Sequence, residues 1–145
     1  ARECDTMARK TTPKTWAQKF QNAKAPHVAI LEKPFGGVPA GGSLYVASPA
    51  VVADYAAAVP VGQTRTVNQM RSDLAAREGA MATCPTSTSF FVRIAAEAAL
   101  EELAAGKAAA AVTPFWRIVD PDGPMAAKLS CGGDFIRTMR AVEAG

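Results

Sequence analysis

The sequence predicts a mainly α-helical protein with a small β wing: a winged helix-turn-helix preceded by a basic arm and short edge strands. Two amphipathic segments in succession, Val67–Arg77 and then a long run from Pro85 to about Ala105, are separated only by a glycine stop and a short connection, as in a helix pair of that kind. A turn signal, Asp120-Pro121-Asp122-Gly123-Pro124, follows a short apolar stretch at Thr113–Val119, which leaves room for a short strand and a wing. A last amphipathic segment, from Asp134 with Phe135, Ile136, Met139 and Val142 at helical spacing, supplies a closing helix.

Length and composition set the frame. The chain has 145 residues, of which 49% are hydrophobic, enough for one domain with a real core and an arm. No stretch approaches the roughly 18 uninterrupted apolar residues of a membrane span, and Arg2, Arg9 and Lys10 are not followed by the apolar run of a signal peptide. A soluble, cytoplasmic protein is the expectation. Cys4, Cys84 and Cys131 lack paired spacing and stand far from the single histidine, His27, so neither a zinc site nor a disulfide framework is expected, and no cofactor. The net charge of +3 permits a polyanionic partner without demanding one.

The chain divides into an arm (1–24), a connecting segment (25–48) and the domain proper (49–145). From Met7 to Lys24 the arm carries Arg9, Lys10, Lys14, Lys19 and Lys24 with no acid between them, and its tail reads as a short helix near Trp16–Ala23. Such a segment is either a mobile solubilising tail or a contact to phosphates through counterion release. In the connecting segment, His27–Leu31 and Leu44–Ala47 are short apolar runs split by Pro34, Gly36, Gly37, Pro39, Gly41 and Gly42, which predicts short strands at an edge. His27 has no acid or thiol neighbour in sequence and reads as structural.

Ser48-Pro49 opens a helix over Ala50–Val59, whose Val51, Val52, Tyr55 and Val59 share a buried face and which Pro60 ends. Thr66 caps the next helix, with Val67, Met70 and Leu74 inward and Gly79 as its stop. The long helix then carries Phe90, Phe91, Ile94, Ala98 and Leu103 as its apolar stripe and ends at Gly106. Lys107–Val112 is an alanine-rich spacer, and Asp120–Gly133 reads as a hairpin-like loop with Asp134 capping the last helix.

The candidate site is Thr113–Val119. Phe115 and Trp116 followed by Arg117 suit a wall on which a planar group stacks, since rings and a guanidinium both offer flat, weakly hydrated faces. The competing reading makes Phe115 and Trp116 core and Arg117 solvated.

On these residues the chain from about Pro49 to Gly145 resembles the DNA-binding domain of the O6-alkylguanine-DNA alkyltransferase family. The resemblance rests on Val59-Pro60-Val61-Gly62-Gln63 before the first helix of the pair, Pro85 opening the recognition helix, and Pro114 with Arg117-Ile118-Val119 where the family has Pro-Cys-His-Arg-Val. Asp122-Gly123 in the wing and Gly132-Gly133 before the last helix complete it. The departures fall on the chemistry. The alkyl-accepting cysteine aligns with Phe115, the histidine that deprotonates it with Trp116, and the glutamate behind that histidine with Thr138. A thiolate attacks only if a neighbour helps form it, so the resemblance implies a protein without transferase activity. The family's intercalating arginine aligns with Ser89, and a tyrosine of the preceding helix with Val67.

What the resemblance implies is an alkyltransferase-like protein that binds double-stranded DNA, holds a flipped, alkylated guanine against Phe115 and Trp116, and serves DNA repair, with a repair protein as a possible second partner. Arg117 then supports the loop or meets a phosphate. Thr86, Ser87, Thr88 and Ser89, at the recognition-helix N-terminus, sit at the groove. Arg93, one turn beyond Ser89, either replaces the intercalating finger or pairs with Glu97 at i,i+4. Glu97, Glu101 and Glu102 on the same helix would repel phosphate if they faced it. That favours a rival: a winged-helix module that binds intact nucleic acid or a protein partner with no lesion recognition. A third possibility, an enzyme using Cys84 or Cys131, requires a residual nucleophile.

Overall fold

The computed structural model describes residues 14–145, so Cys4, Arg9, Lys10 and most of the basic arm lie outside the described residues. The fold is mainly helical with a small three-stranded sheet. In chain order it comprises α1 (Trp16–Gln21), β1 (His27–Ile30), β2 (Ser43–Val46), α2 (Pro49–Ala58), α3 (Val67–Glu78), β3 (Ala82–Thr83) and α4 (Pro85–Ala104). Two 3-10 turns (Ala109–Ala111 and Phe115–Arg117), α5 (Pro124–Lys128) and α6 (Gly132–Ala144) complete it.

The helix boundaries follow from their caps. Ser48 Oγ accepts from Val51 N, and Pro49 fills the first position of α2, where its missing N–H costs nothing. Thr66 and Gln69 form a reciprocal capping box at α3, and Gly79, at φ +66°, turns the chain out of the helix in a conformation that favours glycine. No side chain caps α4; Pro85 at its first position and the Thr88 hydroxyl, which donates to Cys84 O, close that end.

β2 lies between its neighbours, antiparallel to β1 and parallel to β3. The pair β1–β2 matches the two predicted short strands. The third strand was not predicted: the connection between the paired helices is drawn into the sheet, with Thr83 Oγ1 donating to Arg71 O and the Arg71 guanidinium donating to Thr83 O.

The expected wing differs. The described residues between Thr113 and Gly133 contain no strand; the apolar stretch is a 3-10 turn and the hairpin-like loop contains α5. Pro124 and the small residues after it favour a helical turn once Gly123 has supplied the reversal. Asp134 is not the N-cap of α6 but lies in its first turn, after a start at Gly132.

The core gathers α2, α3, α4 and α6 around the second 3-10 turn, with Val52, Met70, Leu74, Val92, Phe115, Trp116, Ile118 and Ile136 fully enclosed. Two predicted inward residues point out instead: Phe90 is 62% exposed and Val142 69%. The helical tail of the arm is docked against α4, where the Glu101 carboxylate accepts from Trp16 N and Ala17 N and so caps α1.

Candidate functional site

The predicted site stretch is the centre of the core. Phe115 and Trp116 are each 1% exposed and stand edge to face with ring centroids 5.4 Å apart. Phe135 of α6 stacks on Phe115 at 6.1 Å and meets Trp116 edge-on at 6.4 Å, giving the geometry that ring quadrupoles favour. Neither ring is therefore a wall for a ligand. The reason is the 3-10 turn: Pro114 interrupts the extended backbone, and the turn carries both rings inward among α2, α4 and α6.

Arg117 is not a solvated cation either. Its Nε and Nη2 meet the Glu143 carboxylate, Nη2 to Oε2 at 2.7 Å, while Nη1 donates to Val59 O at 2.8 Å. The bidentate pair leaves both side chains about one-eighth exposed, at 12% and 13%. Arg117 holds the Glu143 carboxyl below its ordinary range. One turn earlier on α6, Arg140 donates to Trp116 O and Val119 O, so α6 grips the 3-10 turn from both ends. Burial lowers the Arg140 pKa from its ordinary value. The indole Nε1 of Trp116 is buried without a hydrogen bond of good geometry, although it is close enough to Glu143 to help hold that carboxyl ionised.

Above this turn lies a cleft of about 560 Å³, within the range of small-molecule sites. Its apolar lining is Val67 of α3 with Pro124 and Met125 of α5, together with Val92, Ile118 and Val119, each at most 1% exposed. Its polar rim is the N-terminus of α3 from Thr64 to Gln69, together with Arg65, Lys128 and Arg140; Asp120 is the one carboxylate among the described lining residues. Among the described residues, no cysteine or histidine lines it. The cleft shares Ser89, Met125 and Lys128 with a second hollow of about 420 Å³, which Thr86, Phe90 and Arg93 border. Neither α3 nor α4 has an acid in its first turn; the N-terminus of α3 borders the cleft, which also holds Asp120, and that of α4 borders the second hollow.

The predicted residues divide accordingly. Thr86, Ser89 and Arg93 are brought to the groove, whereas Phe115, Trp116 and Arg117 lie beneath it. Thr88 is fully buried, its hydroxyl committed to Cys84 O, and the buried Ser87 Oγ has no partner among the described residues. Arg93 does not pair with Glu97; its guanidinium lies 5.3 Å from the Trp16 ring, which Lys19 also covers at 4.1 Å.

The chain was compared with protein-family models, curated proteins and solved structures, and it matches none of them.

The acids of α4 do not face the groove. Glu97 is buried and accepts from Ser130 Oγ at 2.6 Å and Ser130 N at 3.3 Å; Glu101 caps α1; Glu102 pairs with Lys107. The repulsion they threatened is thereby removed. Cys84 lies in a separate small cluster with Val38 and Leu44, and burial raises the Cys131 thiol pKa, the opposite of what a nucleophile needs. His27 is exposed on β1, its Nδ1 3.4 Å from Ala25 O.

Sequence reasoning missed Arg65, Lys128, Arg140 and Glu143. The capping box Thr66-x-x-Gln69 was the available signal for a helix N-terminus at the groove. Nothing local marks Glu143 as the partner of a residue 26 positions earlier.

Proposed function

We propose that this chain is a non-catalytic, alkyltransferase-like DNA-binding protein that receives a displaced base, an alkylated guanine among them, in the cleft between α3, α4 and α5. The observation that carries the reading is the cleft itself: an apolar part in which Val67, Pro124 and Met125 adjoin the enclosed Val92, Ile118 and Val119, with a rim of Arg65, Lys128 and the N-terminus of α3 around a single described carboxylate, Asp120. Flat apolar surface suits a base face, while cationic and amide donors suit the phosphates on either side. In this reading α3 and α4 act as the helix pair, and α5 takes the place of a wing. Eversion costs a few kcal/mol, least for a damaged base, and stacking returns about 1–3 kcal/mol, so binding balances without covalent chemistry.

The burial of Phe115 and Trp116 favours a second reading, a module that binds intact nucleic acid or a protein partner without lesion recognition, because the expected aromatic wall is not available to a base.

Fluorescence anisotropy on a duplex with one O6-methylguanine, its unmodified twin and the corresponding single strand separates the two. The first reading expects tighter binding to the lesion duplex, weakening with salt, and a loss of roughly tenfold in Arg65→Glu/Lys128→Glu. Equal affinity for both duplexes selects the second reading, and no binding to any DNA refutes nucleic-acid recognition.

A further inference from the structure

We propose that the free edge of β1 is a docking site for an extended acidic-apolar segment of a partner protein, which adds to the sheet as a fourth strand.

Among the described residues the edge is open. β1 has β2 on one side and, among the described residues, no strand on the other. Leu31 N donates to Gly42 O and Leu31 O accepts from Gly41 N, so the Leu31 backbone faces β2. Two-residue alternation then turns the N–H and C=O of Val28 and Ile30 outward, toward the vacant side. β1 is short, with four residues, but of the other devices that blunt an edge, a proline, a bulge or an inward charge, Val28–Ile30 has none. The side chains are apolar and unshielded as well: Val28 is 44% exposed, Ile30 67%, and Phe35 beyond them 46%.

Charge specifies the occupant. Next to the His27 end of the strand is a groove of about 380 Å³ whose floor is Val46, Phe91 and Ile94. Its rim carries Lys14, Lys19, Lys24 and His27, with no acid among the described lining residues. None of these lysines has a carboxylate partner among the described residues. The opposite end of β1 is apolar, at Ile30 and Phe35. A segment with carboxylates at one end and β-branched residues at the other matches both, its backbone taking the free Val28 and Ile30 groups. A nucleic-acid backbone would meet the lysines but leave Phe91, Ile94, Val28 and Ile30 against phosphates, where apolar surface gains nothing. The groove uses the Phe91–Ile94 face of α4, distinct from the Ser89–Val92 face that lines the cleft.

The test is anisotropy of a fluorescein-labelled, strand-length peptide with aspartate and glutamate at one end and alternating valine and isoleucine at the other, titrated with the full chain. Two comparisons accompany it: the same peptide N-methylated at alternate residues, and the variant Lys14→Glu/Lys19→Glu/Lys24→Glu. The expected result is saturable binding that each change weakens roughly tenfold or more, since one removes the strand hydrogen bonds and the other reverses the rim. The peptide-side change leaves the protein intact, so misfolding of the variant does not decide the outcome. Undiminished binding of the N-methylated peptide overturns strand addition, and undiminished binding to the charge-reversed variant overturns the assignment of an acidic partner. No binding, displacement by a short duplex, or a self-associated chain in sedimentation that excludes the peptide each overturns the proposal.

Discussion

Replacing Trp116 separates a core residue from a ligand-binding one. The side chain is 1% exposed and in aromatic contact with both Phe115 and Phe135, so Trp116→Ala deletes a large enclosed volume at the point where α4, α6 and the 3-10 turn meet. Such truncations cost about 3–5 kcal/mol, a large share of the 5–15 kcal/mol by which a domain is stable. Trp116→Phe is the sharper perturbation. It leaves a smaller void, and it also removes an indole N–H that is buried without a good partner, a group whose burial costs about 1–3 kcal/mol. The two effects oppose, and the net loss is expected to be about 1–2 kcal/mol. Urea unfolding followed by far-ultraviolet circular dichroism measures the loss, and duplex anisotropy on the folded Trp116→Phe protein measures binding. The expectation is a lowered midpoint with affinity unchanged within about twofold, below the tenfold that 1.4 kcal/mol represents. A tenfold loss of affinity at unchanged stability would refute the reasoning, because it would mean that the ring meets the ligand.

Three further outcomes follow from particular contacts. Glu143→Gln, which strands the Arg117 guanidinium, is expected to cost about 2–3 kcal/mol in the same unfolding assay. Because the fold holds the Glu143 carboxyl ionised below its ordinary 4.5, the wild-type contribution is complete above that pH and is lost as pH falls through the lower folded value. An acid titration of stability that is as steep in the variant as in wild type would contradict this. Tyr55 donates to Asp73 at 2.5 Å, and burial, helped by that bond, pushes its pKa up to about 12 from 10.0. Its contribution is present below pH 10.0 and lost as pH rises toward about 12, so Tyr55→Phe should flatten that alkaline limb, and an unchanged limb would count against it. Gly133→Ala would drive a Cβ into Pro121 O, so a backbone shift is required; thermal unfolding should reveal a loss of about 2 kcal/mol or more, and a neutral result would mean that the 121–133 loop yields freely.

Most of the helical frame was legible in the sequence. The bounds of α2, α3 and α4 follow from Ser48-Pro49, Thr66, Gly79 and Pro85, which act on the backbone next to them. The short strands around a glycine-rich loop follow from period and punctuation in the same way. Less of the candidate site could be read. Phe115-Trp116-Arg117 combines residue types that serve a core and a stacking wall equally well, and composition does not say which way a short turn will rotate them. That direction depended on Phe135 and Arg140 of α6, and the fate of Arg117 on Glu143. Arg93 likewise found Trp16 in the arm rather than the glutamate four residues away.

The sequence by itself determined where helices start and stop, because caps, prolines and left-handed glycines exert their effects within a turn of the chain. Only the tertiary structure decided which residues line the groove: it drew the predicted aromatic pair into the core, turned the α4 glutamates onto other partners, brought Arg65, Lys128 and the N-terminus of α3 around one cleft, and left the edge of β1 without a strand among the described residues. Those outcomes depend on pairings between distant segments, which no local pattern of side chains encodes.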